Sequence, residues 1–299
     1  MRKKPILLTL ILLLSFNFSK GQSISTLKEA INKILVDKDA TVGIAISGVN
    51  LNDSLSINGD KKLPLQSVFK YHLALAVLNQ VDKGKFNLND KITITKEDLN
   101  NNLWSPIREE YPEGIDLALA DILKYTVASS DNVGCDLLFK LVGGAKVVEK
   151  YLHEVGISDV AIEYNEATQQ SKWELQYMNW TTAKSANQAL RLFFENSKQQ
   201  LSLESHTFLW KTMKSSWTGK NSIRGHLPKE TVVAHKTGHS GKNDTGLTGA
   251  QNDIGIIFLP NGKHFYLSVL VSDSKEDSNV NEKIIADIAK LAWDYFENK

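Results

Sequence analysis

Two kinds of hydrophobic periodicity divide this chain, and their order restricts the folds it can adopt. Apolar residues alternate over residues 41–47 and 54–57, two strands joined by a short Asn/Asp turn. Strand patterning returns only near the end, over residues 231–236, 253–259 and 264–271, with Asn261-Gly262 as a hairpin signal between the last two. From residue 64 to 214 the period is mostly helical. Residues 68–81 form a strong helix stopped by Gly84, residues 115–130 and 135–141 read as two more, and Gly143-Gly144 breaks the chain before another that runs to residue 153. Amphipathic patterns over residues 25–36 and 279–296 put a helix at each end. The order predicts an α/β (α+β sandwich) fold. The two early and three late strands make one five-stranded antiparallel sheet, the terminal helices cover a face of it, and an all-helical lobe is inserted between. The expected division is residues 22–60 and 216–299 for the sheet lobe and 61–215 for the helical lobe, with a ligand cleft where they meet.

Residues 1–21 stand apart from this fold. Arg2, Lys3 and Lys4 precede an apolar run from Ile6 to Phe16, and Ser19 and Gly21 are small residues at the spacing a signal peptidase reads. The run is shorter than the ~20 residues a membrane span needs. A secretory signal cut before Gln22 is therefore expected, and with no cysteine at the cut a lipid anchor is not. Its removal takes four of the 35 basic residues and none of the 34 acidic ones, leaving a net charge of −3. So mild a charge offers no nucleic-acid footprint. The chain is 42% hydrophobic, enough for a sizeable core. One cysteine, Cys135, excludes an internal disulfide, and seven scattered histidines without an H-x-H or H-E-x-x-H pair argue against a zinc hydrolase. Nothing calls for a metal or cofactor, and no stripe suggests a partner chain, so a monomer is the default.

Three short motifs fall where the lobes should meet. In Ser67-Val68-Phe69-Lys70 the serine opens a helix and the lysine follows at i+3, on the same face. A serine hydroxyl needs a base to become a nucleophile, and a lysine can serve where its pKa is lowered. Alone, the pattern is equally an N-capping serine and a surface lysine, since S-x-x-K arises by chance about once in a chain of this length. Ser130-Asp131-Asn132 follows a helix and could be an ordinary turn, or a hydroxyl that relays a proton to a leaving nitrogen beside an asparagine that hydrogen-bonds a substrate amide. Lys236-Thr237-Gly238 ends an apolar strand, where glycine marks close approach by a ligand or backbone and lysine with threonine can hold a carboxylate. The order S-x-x-K, S-D-N, K-T-G is the set found in class A β-lactamases and penicillin-binding proteins.

The stretches Gln66-Ser67-Val68-Phe69-Lys70, Ser130 to Phe139, Tyr177-Met178-Asn179-Trp180 and Val233 to Gly238 carry a resemblance. Over the whole expected mature length the sequence resembles a class A serine β-lactamase, and most of all the branch that includes the PER and VEB enzymes. The resemblance implies the fold of serine β-lactamases and penicillin-binding-protein transpeptidases, and β-lactams as small-molecule substrates. It implies Ser67 as the acylated nucleophile, Lys70 as its base or proton shuttle, Ser130 as the proton carrier to the lactam nitrogen, and Asn132 as the holder of the acylamino side chain. Lys236 and Thr237 would bind the substrate carboxylate, and the backbone N–H groups of Ser67 and His239 would form the oxyanion hole. The His239 imidazole is given no acid–base task, and Trp104 is either the aromatic residue at the cleft mouth or a partly buried core tryptophan. Glu166 would activate the water that releases the acyl group. Without it the same machinery would give a D,D-peptidase or a β-lactam sensor that stays acylated. A periplasmic protein of a Gram-negative bacterium is the implied setting.

The sequence also departs from the usual class A pattern. Ala167 stands where proline is usual after Glu166, so a cis bond there loses its low cost. Gln170 replaces the asparagine that usually helps hold the water. Tyr164 and Asn179 replace an arginine–aspartate pair, Ser222 replaces the PER-type accessory arginine with Arg224 as a possible substitute, and residues 241–249 are longer and more polar. Residues 164–170 read as loop. A remodelled, wider cleft that admits bulky cephalosporins is expected.

Overall fold

Strands from the two ends of the chain meet edge to edge, as the periodicity requires. The computed structural model describes residues 23–50, 52–100 and 102–299; the expected signal segment lies outside the described residues. Strands β1 (Thr41–Gly48), β2 (Ser54–Ile57), β3 (Val233–His239), β4 (Thr248–Phe258) and β5 (His264–Ser274) form one sheet in the order β2-β1-β5-β4-β3. Every neighbouring pair is antiparallel, with Ile44 opposite Val269 and Lys236 opposite Ile254. The turn between β4 and β5 closes where Asn261-Gly262 stands, Gly262 taking φ +80°.

Both faces of this sheet are covered, and strand alternation sorts the residues between them. Ile44, Ile46, Phe265 and Leu267 pack with Leu27 and Ile31 of helix Ile24–Leu35 and with Ile285 and Ile288 of helix Ser278–Glu297. Ala45, Ala234, Ile256, Tyr266 and Leu270 turn the other way, into a core shared with the middle of the chain. At the heart of that second core lies helix Phe69–Asp82, in which all ten residues from Phe69 to Leu78 are buried. A helix that is apolar on every side belongs in an interior. It carries Lys70 into that interior on its first turn.

The middle of the chain is not all helical. Residues 115–130 do not form one helix: Gly114–Ala118 is a strand paired with Lys91–Thr95, and the helix begins at Leu119. Gly114 takes φ +96° and resets the chain, and the three-residue alternation after it is too short to show against the long helical run that follows. A second small sheet joins Leu63–Pro64, Trp180–Thr181 and Val160–Ala161. Cys135 is fully buried in helix Asn132–Val142, and burial pushes its thiol pKa well up, as befits a small core hydrophobe.

Candidate active site

Ser67 sits in a single 3₁₀ turn, Gln66–Val68, that runs straight into helix Phe69–Asp82. It is not an N-cap: Leu65 takes that position for the turn and Val68 for the helix. The turn forces Gln66 to φ +46°. Lys70 is buried completely, so its ammonium must find its partners inside the protein. Its Nζ donates to Ser67 Oγ at 2.8 Å, to the Ser130 carbonyl at 3.0 Å and to Asn132 Oδ1. Glu166 Oε2 lies 3.3 Å away and supplies the countercharge. One ammonium therefore brings together the S-x-x-K serine, two members of S-D-N and the glutamate a hundred residues downstream.

The S-D-N turn is built around strain. Ser130 takes φ +57°, which costs a residue with a side chain roughly 1–2 kcal/mol. Asp131, fully buried, holds the turn: its carboxylate accepts from Gly134 N at 2.7 Å, Ile107 N at 2.8 Å and Ser105 Oγ at 2.8 Å. The helix that starts at Asn132 is thereby capped, and Asn132 is fixed beside Lys70. Ser130 Oγ accepts from Lys236 Nζ at 3.0 Å. Lys236 is also fully buried; desolvation first, and the nearby Lys70 charge second, bring its pKa down to about 7.

The K-T-G triplet lies inside β3, which continues through it to His239 rather than ending before it. A β-carbon on Gly238 would fall 2.6 Å from the Leu65 carbonyl and 3.2 Å from Ser67 N. Glycine is what lets the strand lie against the nucleophile turn, as its place in the sequence suggested. From β4, Asn252 Nδ2 donates to the carbonyls of Pro64 (2.8 Å) and Leu65 (3.2 Å), tying the same turn to the sheet. Thr237 Oγ1 pairs with Thr218 Oγ1 at 2.8 Å. Ser67, Ser130, Asn132, Glu166, Gln170, Thr237 and His239 all line one cleft of about 620 Å³, a size suited to a small molecule. Trp104 lines it too and is 48% exposed, which settles its place at the cleft mouth rather than in the core. Among the described residues, no group of His, Cys, Asp and Glu could hold a metal ion.

The glutamate segment is not a loop throughout. Glu166–Gln170 is a short helix capped by Asn165, whose Oδ1 accepts from Thr168 N at 3.2 Å. Asp136 accepts from Glu166 N at 2.7 Å and from Ala167 N at 3.0 Å. Burial raises the Asp136 pKa to about 6 against the pull of those two N–H groups. The Glu166–Ala167 peptide is trans. Glu166 is 1% exposed; its Oε1 accepts from Gln170 Nε2 at 2.5 Å, and Oε2 accepts no hydrogen bond among the described residues.

A network of neutral amides stands where an arginine–aspartate pair would be. Asn179 Oδ1 accepts from the backbone N–H groups of Glu163 (2.7 Å) and Tyr164 (3.0 Å), and its Nδ2 donates to Tyr164 O (2.9 Å) and Gln169 Oε1 (2.8 Å). Gln169 in turn donates to Gln66 Oε1 at 3.2 Å, and Gln66 donates to Gln176 Oε1 at 2.8 Å. All four side chains are buried. Gln66 thus links the nucleophile turn to the glutamate segment. Ser222 lines the cleft and Arg224 does not, so Arg224 is not placed as an accessory arginine; its Nη2 donates to the carbonyls of Lys214 (3.1 Å) and Val233 (2.9 Å). Residues 241–249 fold into a turn in which Asn243 Oδ1 accepts from Thr245 N (3.0 Å) and Leu247 N (2.9 Å). The roles of Asp136, Gln66, Gln169 and Asn252 escaped the sequence reading, although Gln66 adjoins the S-x-x-K serine, Asp136 lies within the S-D-N helix and Gln169 adjoins Gln170; Asn252 alone of the four had no motif beside it.

Comparisons with known proteins agree with this geometry. The sequence profile of the beta-lactamase enzyme family matches residues 26–296. The chain is 46% identical over 297 residues to beta-lactamase VEB-1 of Pseudomonas aeruginosa, covering 99% of each. It is 42% identical over 295 residues to the extended-spectrum beta-lactamase PER-1 of the same species, covering 98% of this chain and 95% of that one. Its structure superposes on that of the TLA-3 extended-spectrum beta-lactamase with a TM-score of 0.90 at 46% identity, over 92% of this chain and 100% of the other. Ser67, open to the cleft and backed by the buried Lys70 and Glu166, thus lies in a chain that belongs to the beta-lactamase enzyme family and is a class A β-lactamase.

Proposed function

We propose that the protein opens the lactam amide of cephalosporins and penicillins through an acyl-enzyme on Ser67, and that a water activated by Glu166 releases the product. The observation that carries this reading is the reach of Lys70 Nζ, 2.8 Å from Ser67 Oγ and 3.3 Å from Glu166 Oε2. In this mechanism Glu166 and Lys70 act as one relay. Glu166 takes a proton from the Lys70 ammonium, and the neutral amine takes the Ser67 proton as Oγ attacks the carbonyl carbon. The oxyanion formed is met by the backbone N–H groups of Ser67 and His239. The C–N bond breaks as Ser130 Oγ gives its proton to the lactam nitrogen and takes one from the Lys70 ammonium, which recovers its own from Glu166, so that Glu166 is again a carboxylate; Lys236, bonded to the Ser130 hydroxyl, favours the transfer. Lys236 and Thr237 hold the substrate carboxylate, and Asn132 and Trp104 hold the acyl side chain. In the second half Glu166, steadied by Gln170, takes a proton from water, which attacks the ester carbonyl; the ester C–O bond then breaks, and the proton passes from Glu166 by way of Lys70 to Ser67 Oγ, which frees the opened product and restores the serine. Oε2, which faces the Lys70 ammonium at 3.3 Å but accepts no hydrogen bond among the described residues, is the acceptor for that water.

We extend this reading to bulky cephalosporins, because the cleft is roomy and the glutamate segment is fastened by amides. Secretion to the periplasm of a Gram-negative bacterium and a monomeric state free of any membrane anchor complete the proposal; no described helix is long and apolar enough to cross a membrane. A chromogenic cephalosporin followed by turnover and intact mass tests the central claim. Rapid multiple turnover is expected from the wild type, and from Glu166→Ala a stable adduct on Ser67 with release slowed about 10²–10⁴-fold. Normal turnover by that variant would show that the deacylation base is misassigned. For the substrate range, negligible turnover of oxyimino-cephalosporins beside fast turnover of penicillins removes the extension.

A further inference from the structure

The mechanism asks Ser130 to hold an unfavourable left-handed conformation, and a strained residue persists only where its surroundings over-determine it. The residue on each side is pinned. Ser129 N and Asp131 N both donate to the Tyr125 carbonyl, at 3.1 and 3.0 Å, so the chain must loop outward at Ser130. The remaining polar groups of Ser129 are each taken by an indole. Trp104 Nε1 donates to Ser129 O at 3.2 Å, and Trp217 Nε1 donates to Ser129 Oγ at 3.0 Å. The two rings meet edge to face, with centroids 6.4 Å apart at 62°. Trp217 N also reaches the Ala128 carbonyl at 3.4 Å.

We propose that Trp217 is a positioning residue: with Trp104 it clamps Ser129 and so fixes the Ser130 hydroxyl between Lys236 and the lactam nitrogen. The two tryptophans divide the work. Trp104 lines the cleft and can touch substrate, whereas Trp217, equally half-exposed, is not part of the lining. Its indole N–H reaches the residue before the proton carrier, so its influence on the reaction passes through the backbone. The next residue along, Thr218, hydrogen-bonds Thr237, so the segment that bears Trp217 is itself tied to the carboxylate-binding strand. This inference rests on the β-lactamase reading in which Ser130 carries the proton.

The test is Trp217→Phe, which keeps a ring and removes the N–H, beside Ser129→Ala, which removes the acceptor. Both are measured with a chromogenic cephalosporin as the rate of acyl-enzyme formation and as steady-state kcat and KM, with thermal unfolding as a check on folding. Loss of one hydrogen bond predicts acylation about three- to tenfold slower in each variant, KM within about twofold of wild type, and a double variant no slower than the slower single one. A KM shift with kcat unchanged would make Trp217 a substrate-stacking surface instead. Multiplying losses in the double variant would mean that the two groups act separately. Either result overturns the clamp. Wild-type turnover matched by both variants overturns the clamp and leaves the hydrolase reading intact; a wild type that never turns over overturns both.

Discussion

Asn179→Ala is expected to unfasten the glutamate segment while sparing the acylating half of the site. Asn179 is fully buried, and its side chain makes four hydrogen bonds of 2.7–3.0 Å. Truncation strips two backbone N–H groups, one carbonyl and the Gln169 amide oxygen of a partner each. A buried group left unsatisfied costs about 1–3 kcal/mol, less where water enters the space. The expected loss is therefore about 3–5 kcal/mol, read as a fall in Tm of roughly 10 °C in thermal unfolding. Lys70 keeps Ser67, Ser130 and Asn132 as partners on other elements, so acylation, in which Glu166 serves only to accept the Lys70 proton, is expected to fall less, by a few-fold. Deacylation is expected to fall at least tenfold, because the short helix that aims Glu166 loses its tie to residue 179 and keeps only Asp136 and the Gln169–Gln66 bond. Intact mass during turnover should show acyl-enzyme accumulating.

Asn179→Asp sharpens the test. An aspartate keeps the acceptor for the Glu163 and Tyr164 N–H groups but turns its second oxygen toward Tyr164 O and Gln169 Oε1, both acceptors. Gln169 cannot simply rotate to offer its amide N–H, since that group is already given to Gln66. With Tyr164 where relatives place an arginine, no cation meets the new charge. The variant is expected to be at least as unstable as the alanine at pH 7, and to recover as pH falls and the carboxyl gains a proton. An aspartate variant as stable as wild type at pH 7 would refute the claim that neutral amides, and not an ion pair, close this segment.

Two further perturbations probe the strand side of the cleft. With its pKa near 7, Lys236 in the free protein carries its charge below that pH and loses it above. KM for an anionic cephalosporin is therefore expected to rise as pH climbs through about 7, and Lys236→Arg, whose guanidinium stays charged, to flatten the rise; a wild-type KM constant from pH 6 to 9 contradicts this. The same depression has a sign for stability: the unfolded chain binds the proton that the folded chain has lost between about 7 and 10.5, so this lysine's contribution to stability rises with pH across that window. Gly238→Ala puts a methyl group 2.6 Å from the Leu65 carbonyl, and backbone must shift to admit it. Acylation at least tenfold slower and a stability loss of about 1–3 kcal/mol are expected; wild-type rates measured by stopped flow would show that the strand and the nucleophile turn are not in firm contact.

What could be read from the sequence, and what could not, follows from the range of the forces involved. The sheet was legible because alternation is local: Ile44 and Ile46 face one core and Ala45 the other whatever their partners. That Ser67, Lys70, Ser130, Asn132 and Lys236 stand out was legible because each belongs to a short motif of fixed spacing, and the structure brings the three motifs into contact. Residues 114–118 and 166–170 were misread because five residues are too few for a period to show, and what fixes them is remote: strand Lys91–Thr95 for the one, Asp136 for the other. The amide network leaves still less trace. An arginine and an aspartate announce a pair by opposite charge, but Gln66, Gln169, Gln176 and Asn179 are each donor and acceptor at once, so composition gives no sign of which bonds to which.

That ambiguity is also what makes the network suited to its place. The site already holds two buried lysines and one buried glutamate, Lys70 being 2.8 Å from Ser67 Oγ and 3.3 Å from Glu166 and Lys236 being 3.0 Å from Ser130 Oγ, and a further arginine–aspartate pair in the glutamate segment would add two charges to a site whose proton transfers depend on the balance among three. Closing the segment with dipoles fixes Glu166 in position while leaving Lys70 as its only ionic contact within 4 Å among the described residues. The countercharge on Lys70 is then set by Glu166 alone, and that same carboxylate must later serve the water. The departures at residues 164 and 179 are, on this argument, one substitution in physical terms: an ionic fastening exchanged for a neutral one, with Gln66 and Gln169 as the residues that make the exchange possible.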